Sequence, residues 1–184
     1  MQNSSLNAVL DLWSQTRALH HIPITGRSML PLIRKGDHVL VVHGCDGVRR
    51  GDVVVFRHEG KLIAHRVLHI YKETTGHRTF ITKGDNSPQC DPPWSSREMV
   101  GRVSGIKRGK KEMSLDTPYW RVVGWHIAFI TLVWIKLSGL RRKIKQRLLG
   151  THFNVLITLQ RRGLDAFFFS VRKTLLITLF KWKS

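Results

Sequence analysis

Cysteine is nearly absent from this chain: Cys45 and Cys90 are its only two in 184 residues. Two thiols cannot form a disulfide framework. Neither sits in a Cys-x-x-Cys pair or a His-rich ligand spacing, so no structural zinc site is expected. Acidic residues are also scarce, twelve against 31 Lys and Arg, and the shortage is uneven. Residues 1–117 hold 18 basic and 11 acidic residues, whereas residues 118–184 hold 13 basic residues and a single acid, Asp165. The formal net charge of +19 calls for an anionic partner, lipid headgroups or nucleic acid, and the break near Pro118 is the natural boundary. A signal peptide is not expected, because Met1–His21 carries Asp11 and Arg17 and no apolar run of adequate length. The hydrophobic content of 42% is ordinary, and the length suits one compact domain plus an appendage.

Residues 1–20 are read as an N-terminal amphipathic helix. Leu6, Val9, Leu10, Trp13 and Leu19 recur at near-helical spacing, with Ser4 or Ser5 as cap. Residues 21–117 are read as a β-rich domain. Strands are predicted over His38–His43, Asp52–His58, Lys61–Tyr71, Arg78–Lys83 and Val100–Ile106, separated by Gly-containing turns. Several short strands with regular turns predict a mainly antiparallel β fold.

Residues 118–184 are read as a basic, amphipathic α-helical region that associates with membranes. Val122–Ile135 has no formally charged residue, and the apolar stretch reaches Leu140 if Lys136 snorkels. Nineteen residues lie within the range of a membrane span. The block Arg141-Arg142-Lys143-Ile144-Lys145-Gln146-Arg147 follows at once. Beyond it, Phe167, Phe168, Phe169, Phe180 and Trp182 alternate with basic pairs, a pattern suited to helices in the headgroup layer. Spanning and interfacial arrangements are both open.

Chemistry points to the stretch Thr25-Gly26-Arg27-Ser28-Met29-Leu30-Pro31, which reads as a strand end and a turn presenting one serine. A serine hydroxyl needs a base to take its proton. The candidate lies in Leu62-Ile63-Ala64-His65-Arg66-Val67. A histidine titrates near neutrality without special tuning, whereas a lysine must first be desolvated. His69 is a weaker rival, expected on the same strand face as His65 and Val67. A third cluster, Thr82-Lys83-Gly84-Asp85-Asn86-Ser87-Pro88-Gln89-Cys90-Asp91, offers two carboxylates; Lys83 is expected at the surface or the sheet edge.

These three clusters, in this order, resemble the boxes of the signal peptidase I superfamily, which includes the LexA-type self-cleaving repressors. Ser-Met-x-Pro resembles the nucleophile box. Arg50-Gly51-Asp52 and the Val run after it resemble the second box, and Val100-Gly101-Arg102-Val103 the closing strand. Histidine before Arg-Val resembles the endoplasmic-reticulum and archaeal type, where it replaces the lysine of bacterial members. The resemblance covers residues 22–108. It implies a signal-peptidase/LexA-like antiparallel β catalytic domain with Ser28 as nucleophile, His65 as general base and Asp91 as the carboxylate that orients the imidazole. Asp85, Gly26, Met29 and Pro31 would support the site. It implies no metal and no cofactor. Two departures are Gly26, where many bacterial members add a serine hydroxyl to the oxyanion site, and Asn86-Ser87 in place of two asparagines.

The expected function is therefore a signal-peptidase-like serine endopeptidase acting on a precursor protein or peptide through an acyl-enzyme. Its expected place is a membrane surface, reached through residues 118–184, with topology and oligomeric state open. Two alternatives stand. One is a LexA-like self-cleaving regulator with a basic nucleic-acid-binding tail, disfavoured because such proteins use lysine as base. The other is a non-catalytic membrane adaptor on a degenerate peptidase fold.

Overall fold

The computed structural model describes residues 19–44, 47–72 and 76–148, and the side chains of these up to Leu140. Eight strands form one antiparallel sheet: β1 (Leu19–Pro23), β2 (His38–His43), β3 (Val53–His58), β4 (Lys61–Lys72), β5 (Arg78–Lys83), β6 (Trp94–Ser95), β7 (Met99–Arg108) and β8 (Lys111–Ser114). The order across the sheet is β1-β2-β7-β3-β4-β5-β6, with β8 paired to β7. The fold is thus mainly β and antiparallel, as expected. β7 is inserted between β2 and β3, which are consecutive in sequence.

β2, β3, β5 and β7 form where Val, Ile or Phe cluster and stop within two residues of a glycine, at Gly44, Gly60, Gly84 and Gly109. The β3–β4 hairpin turns at Glu59-Gly60, both with positive φ, the conformation such tight turns require. Alternation on β2 buries Val39, Val41 and His43 and leaves the residues between them half-buried or exposed. One core cluster contains Val48, Val54, Phe56, Val67, Phe80 and Trp94. The Trp94 indole is sandwiched between Phe56 and Phe80, with ring centroids 4.3 Å and 4.8 Å away. Burying three such rings on one face supplies much of the apolar area that holds β3, β4 and β5 together.

Bulges interrupt three pairings, at Leu40/Val41, Val55/Phe56 and Val67/His69. The last corrects an expectation. Val67 pairs with Thr82 and His69 with Ile81, so Leu68 is an extra residue. Adjacent residues of β5 face opposite sides, so His69 falls on the opposite face from His65 and Val67. There its Nδ1 meets the Arg50 guanidinium at 2.9 Å.

A long helix, α1 (Pro118–Leu148), follows the sheet. Pro118 suits its first turn, where an N–H has no partner to lose. Thr117 caps it, accepting the Trp120 N–H through Oγ1 at 3.3 Å and the Arg121 N–H through its carbonyl at 3.1 Å. Its first turns bury Val123, Gly124, Ile127 and Ala128 and expose Val122, Trp125 and Phe129. Gly124 is seated against Gly51, which has φ +94° in the turn before β3. A Cβ on Gly124 would come within 2.6 Å of the Gly51 carbonyl oxygen, and one on Gly51 would strike the Gly124 carbonyl. Two glycines are therefore the condition for this contact.

The chain divides into two compact units, up to Phe129 and from Ile130. The composition break at 117/118 marks where α1 begins. The first unit runs on to Phe129 because the first turns of α1 are part of its packing. The expected helix over residues 1–20 lies outside the described residues except for Leu19 and His20, which open β1 rather than close a helix. The predicted strands match β2 and β5 end to end and β3, β4 and β7 within two residues. β6 and β8 were not expected, and of β1 only a strand end at Thr25 was, two residues beyond where β1 stops. The basic and aromatic segment after residue 148 lies outside the described residues.

Candidate active site

Ser28 sits in a loop that leaves β1 and returns to β2. The loop is closed at its neck by Ile24 N–H to Asp37 O and Gly36 N–H to Ile24 O, both 2.8 Å. Its apolar residues Met29, Leu32 and Ile33 are buried and pin it to the sheet. Asp37 and Arg108 make a second tie, with Nε to Oδ1 at 2.8 Å and Nη2 to Oδ2 at 2.7 Å. Burial alone pushes the Asp37 carboxyl up, but hydrogen bonds from Arg108 and the Arg34 N–H, with the charges of both arginines, leave it below its ordinary value. Ser28 is thereby held half-buried at the loop's apex, between exposed Arg27 and buried Met29.

His65 lies in the middle of β4, opposite Val54 of β3. The residue is 7% exposed, and its ring makes a T-shaped contact with Phe56. Its Nε2 is 3.0 Å from Ser28 Oγ, and its Nδ1 is 2.7 Å from Asp91 Oδ2. An ionised carboxylate can only accept, so Nδ1 carries the proton. The Nε2 lone pair is then left to accept from the Ser28 hydroxyl. Asp91 follows the turn after β5 and is fixed by its own N–H to Thr82 O at 2.9 Å. The structure thus gathers three side chains from a loop, a strand and a turn spread over 64 positions.

Two residues without a role in the sequence reading extend this chain. Thr82 Oγ1 donates to the same Asp91 oxygen at 2.6 Å, and the Trp94 indole N–H donates to Thr82 Oγ1 at 3.0 Å. Trp94 is clamped by Phe56 and Phe80, so the sequence Trp94, Thr82, Asp91, His65, Ser28 runs from the packed core to the hydroxyl. Thr82 opens the third sequence cluster and alternates with Phe80 on β5, which is the signal that could have marked it. Trp94 had none beyond the Pro92-Pro93 before it.

Gly84 is the third such position. A Cβ there would lie 2.8 Å from the Ser28 carbonyl oxygen and 2.9 Å from His65 Nε2, and it would also strike Ser87 Oγ. The absence of a side chain lets the turn after β5 press against the Ser28 loop. Asn86 N–H then donates to Ser28 O at 2.6 Å, and Asn86 Nδ2 to Arg27 O at 3.3 Å.

The expected supporting residues divide. Asp85 is buried and forms a two-pronged pair with Arg66: Nε to Oδ1 at 2.9 Å and Nη2 to Oδ2 at 2.6 Å. Arg66 Nη1 also donates to Gly51 O at 2.7 Å. Asp85 therefore joins, through Arg66, the turn after β5 to the turn before β3. Met29 Sδ accepts the Asp85 N–H at 3.4 Å. Pro31 follows a cis peptide bond in the Ser28 loop. Gly26 is exposed, and a Cβ there would meet nothing within 4 Å. Lys83 corrects an expectation. It is buried, and its Nζ caps its own turn at Ser87 O (2.5 Å) and Gly84 O (3.3 Å). Cys90 is exposed, and its thiol is free. Among the described residues, no three His, Cys, Asp or Glu side chains gather as a metal site.

The Peptidase S24-like family model matches residues 4–103, a stretch that contains all three hydrogen-bonded residues. The signal peptidase complex catalytic subunit SEC11C of Homo sapiens is 32% identical over 96 residues, covering 46% of this chain and 50% of that protein. The signal peptidase complex catalytic subunit sec11 of Dictyostelium discoideum is 36% identical over 96 residues, covering 46% of this chain and 53% of that protein. The chain spans about half the length of these curated relatives.

Proposed function

This chain belongs to the Peptidase S24-like family, and on that premise we propose that it is a serine endopeptidase of the signal-peptidase kind, cleaving precursor proteins or peptides at a membrane surface. The observation that carries the proposal is the unbroken hydrogen-bond chain from Asp91 through His65 to Ser28. In it the imidazole is buried, oriented at Nδ1 and basic at Nε2.

The reaction follows from that geometry. Ser28 Oγ attacks the scissile carbonyl as His65 Nε2 takes its proton. The oxyanion gains a hydrogen bond from the Ser28 backbone N–H. The resulting imidazolium is stabilised by Asp91 and gives its proton to the departing amine. The C–N bond breaks, leaving an ester on Ser28. Water then attacks the ester, its proton passes to Nε2, and collapse releases the acid and restores the serine.

Residues 118–184 hold the enzyme at a bilayer. In support, Pro118–Leu140 of α1 is long and apolar enough to cross a membrane by length and composition. The test is cleavage of a separate precursor by the full chain in detergent micelles. Ser28→Ala and His65→Ala should each abolish product, and Asp91→Asn should slow it by about 10²-fold or more. Cleavage confined to the chain itself would replace this reading with self-processing. Full activity in His65→Ala would remove the assigned base.

A further inference from the structure

Where α1 meets the turn before β3, a cleft of about 480 Å³ opens between Arg49, Arg50 and Asp52 on one side and Arg121, Val122, Trp125 and His126 on the other. It plays no part in the hydrogen-bond chain of the candidate active site. Three arginines and one carboxylate are among its lining residues, and Asp52 accepts the Arg49 N–H at 2.9 Å. Arg50 is steadied at 2.9 Å by His69, a partner that leaves its charge uncancelled when the imidazole is neutral. Arg121 lies 3.6 Å from Asp116, but that carboxylate already holds Arg102 through both oxygens. The lining is mostly apolar, arginine outnumbers carboxylate around it, and a phosphate matches the planar donor fork of an arginine.

Its other border is apolar. Val122 is 57% exposed, Trp125 45% and Phe129 46%, with Trp125 stacked on Phe129 at 5.3 Å. All three residues lie within Pro118–Leu140, the stretch of α1 long and apolar enough to cross a bilayer by length and composition. Tryptophan partitions to the headgroup level of a bilayer.

We propose that this cleft binds the headgroup of an anionic phospholipid, with Arg49, Arg50 and Arg121 on the phosphate and Trp125 at the boundary with the acyl chains. The proposal rests on the membrane-association reading above and is independent of the peptidase chemistry. A built site predicts saturable binding of one lipid, beyond the diffuse attraction that any basic segment shows.

The experiment titrates the full chain in neutral detergent micelles with short-chain phosphatidylglycerol or phosphatidylcholine. It reads tryptophan emission and the stoichiometry by native mass spectrometry. One equivalent of phosphatidylglycerol should bind at least tenfold more tightly than phosphatidylcholine, and Trp125→Phe should remove the emission change. The Arg49→Gln/Arg50→Gln/Arg121→Gln variant should weaken binding at least tenfold. Arg141→Gln/Arg142→Gln/Lys143→Gln, which removes the same charge elsewhere, should stay within twofold. If the triple cleft variant melts early, Arg121→Gln alone should still give at least a threefold loss. Equal weakening by the two triple variants would overturn the proposal, as would no preference for the anionic lipid or equally tight binding of inorganic phosphate. Polynucleotide binding that is lost in the cleft variant, with no lipid bound, would assign the cleft to a different partner and overturn it. Precursor cleavage by the cleft variant in micelles should be unchanged. Loss of lipid binding and loss of peptidase activity are thus separate results.

Discussion

Substituting Gly84 by alanine tests the candidate site at its tightest point. The new Cβ would stand 2.8 Å from the Ser28 carbonyl oxygen and 2.9 Å from His65 Nε2, where ordinary contact begins at 3.4 Å. These two must each give by about half an ångström, and Ser87 Oγ, closer still, by about 1 Å; the first two are held by their own hydrogen bonds. The Ser28 carbonyl is tied to Asn86 N–H at 2.6 Å, and the imidazole is tied to Asp91 at 2.7 Å. The least restrained contact is the 3.0 Å bond between Ser28 Oγ and His65 Nε2, so that is the one that should open. Overpacking of this kind costs about 1–3 kcal/mol in stability, and a displacement approaching 1 Å between reacting groups costs about 10²-fold in rate. We expect kcat on a separate precursor to fall by about 10–100-fold. KM should hold within about twofold, because the groups disturbed act on the reacting bond rather than on substrate binding. The assay is steady-state cleavage in micelles, with a thermal melt on the same sample to show that the variant is folded. A folded Gly84→Ala enzyme with undiminished kcat would refute the reasoning, because the Ser28–His65 contact could not then be both close and necessary.

Thr82→Val removes the second donor to the Asp91 oxygen that holds His65. It should lower kcat by about tenfold, in line with about 1.5–3 kcal/mol for a hydrogen bond to a charged group, and Thr82→Ser should recover most of the loss. Trp94→Phe keeps the ring stack but removes the indole donor to Thr82, and should give a smaller fall, about threefold, in the same assay. The Asp37–Arg108 tie should appear in acid unfolding. A carboxyl held below its ordinary value adds stability that is fully present above the unfolded value, near 3.9, and is lost as pH falls through the folded value. Arg108→Met should therefore destabilise the protein by about 3 kcal/mol at neutral pH in urea titrations, the low end for a broken buried pair because Arg108 keeps a quarter of its side chain exposed. The gap between variant and parent should narrow below pH 4.

Much of the fold was legible because its signals are local. Val-rich runs announce β2 and β3, apolar and β-branched residues between turns announce β4, β5 and β7, and the apolar stretch after Pro118 announces α1. What stayed hidden depends on partners distant in sequence. Leu19–Pro23 is a strand only because β2 accepts it, and its His-His and proline content carries no alternating signal. Trp94–Ser95 is two residues long and is held by Phe80 and Thr79. Leu68 looks like any strand residue, and only the pairing with β5 makes it a bulge that turns His69 away. At the site, the residues whose chemistry is carried by type and motif were readable: serine, histidine and the carboxylates. Those whose contribution is spatial were not. Nothing local says that Gly84 must lack a side chain, that Thr82 shares an oxygen with His65, or that Lys83 folds back onto its own turn.

The insertion of β7 has a bearing on timing. Ser28, His65 and Asp91 have all been synthesised by residue 91, yet β2, which anchors the serine loop, and β3, which anchors β4, are not neighbours. They are joined through β7, which ends at Arg108. A chain still emerging, or one cut short before Met99, carries every reactive group and lacks the strand that brings the two halves into register. Here the strand that joins the two halves of the sheet is made after all three residues of the hydrogen-bond chain.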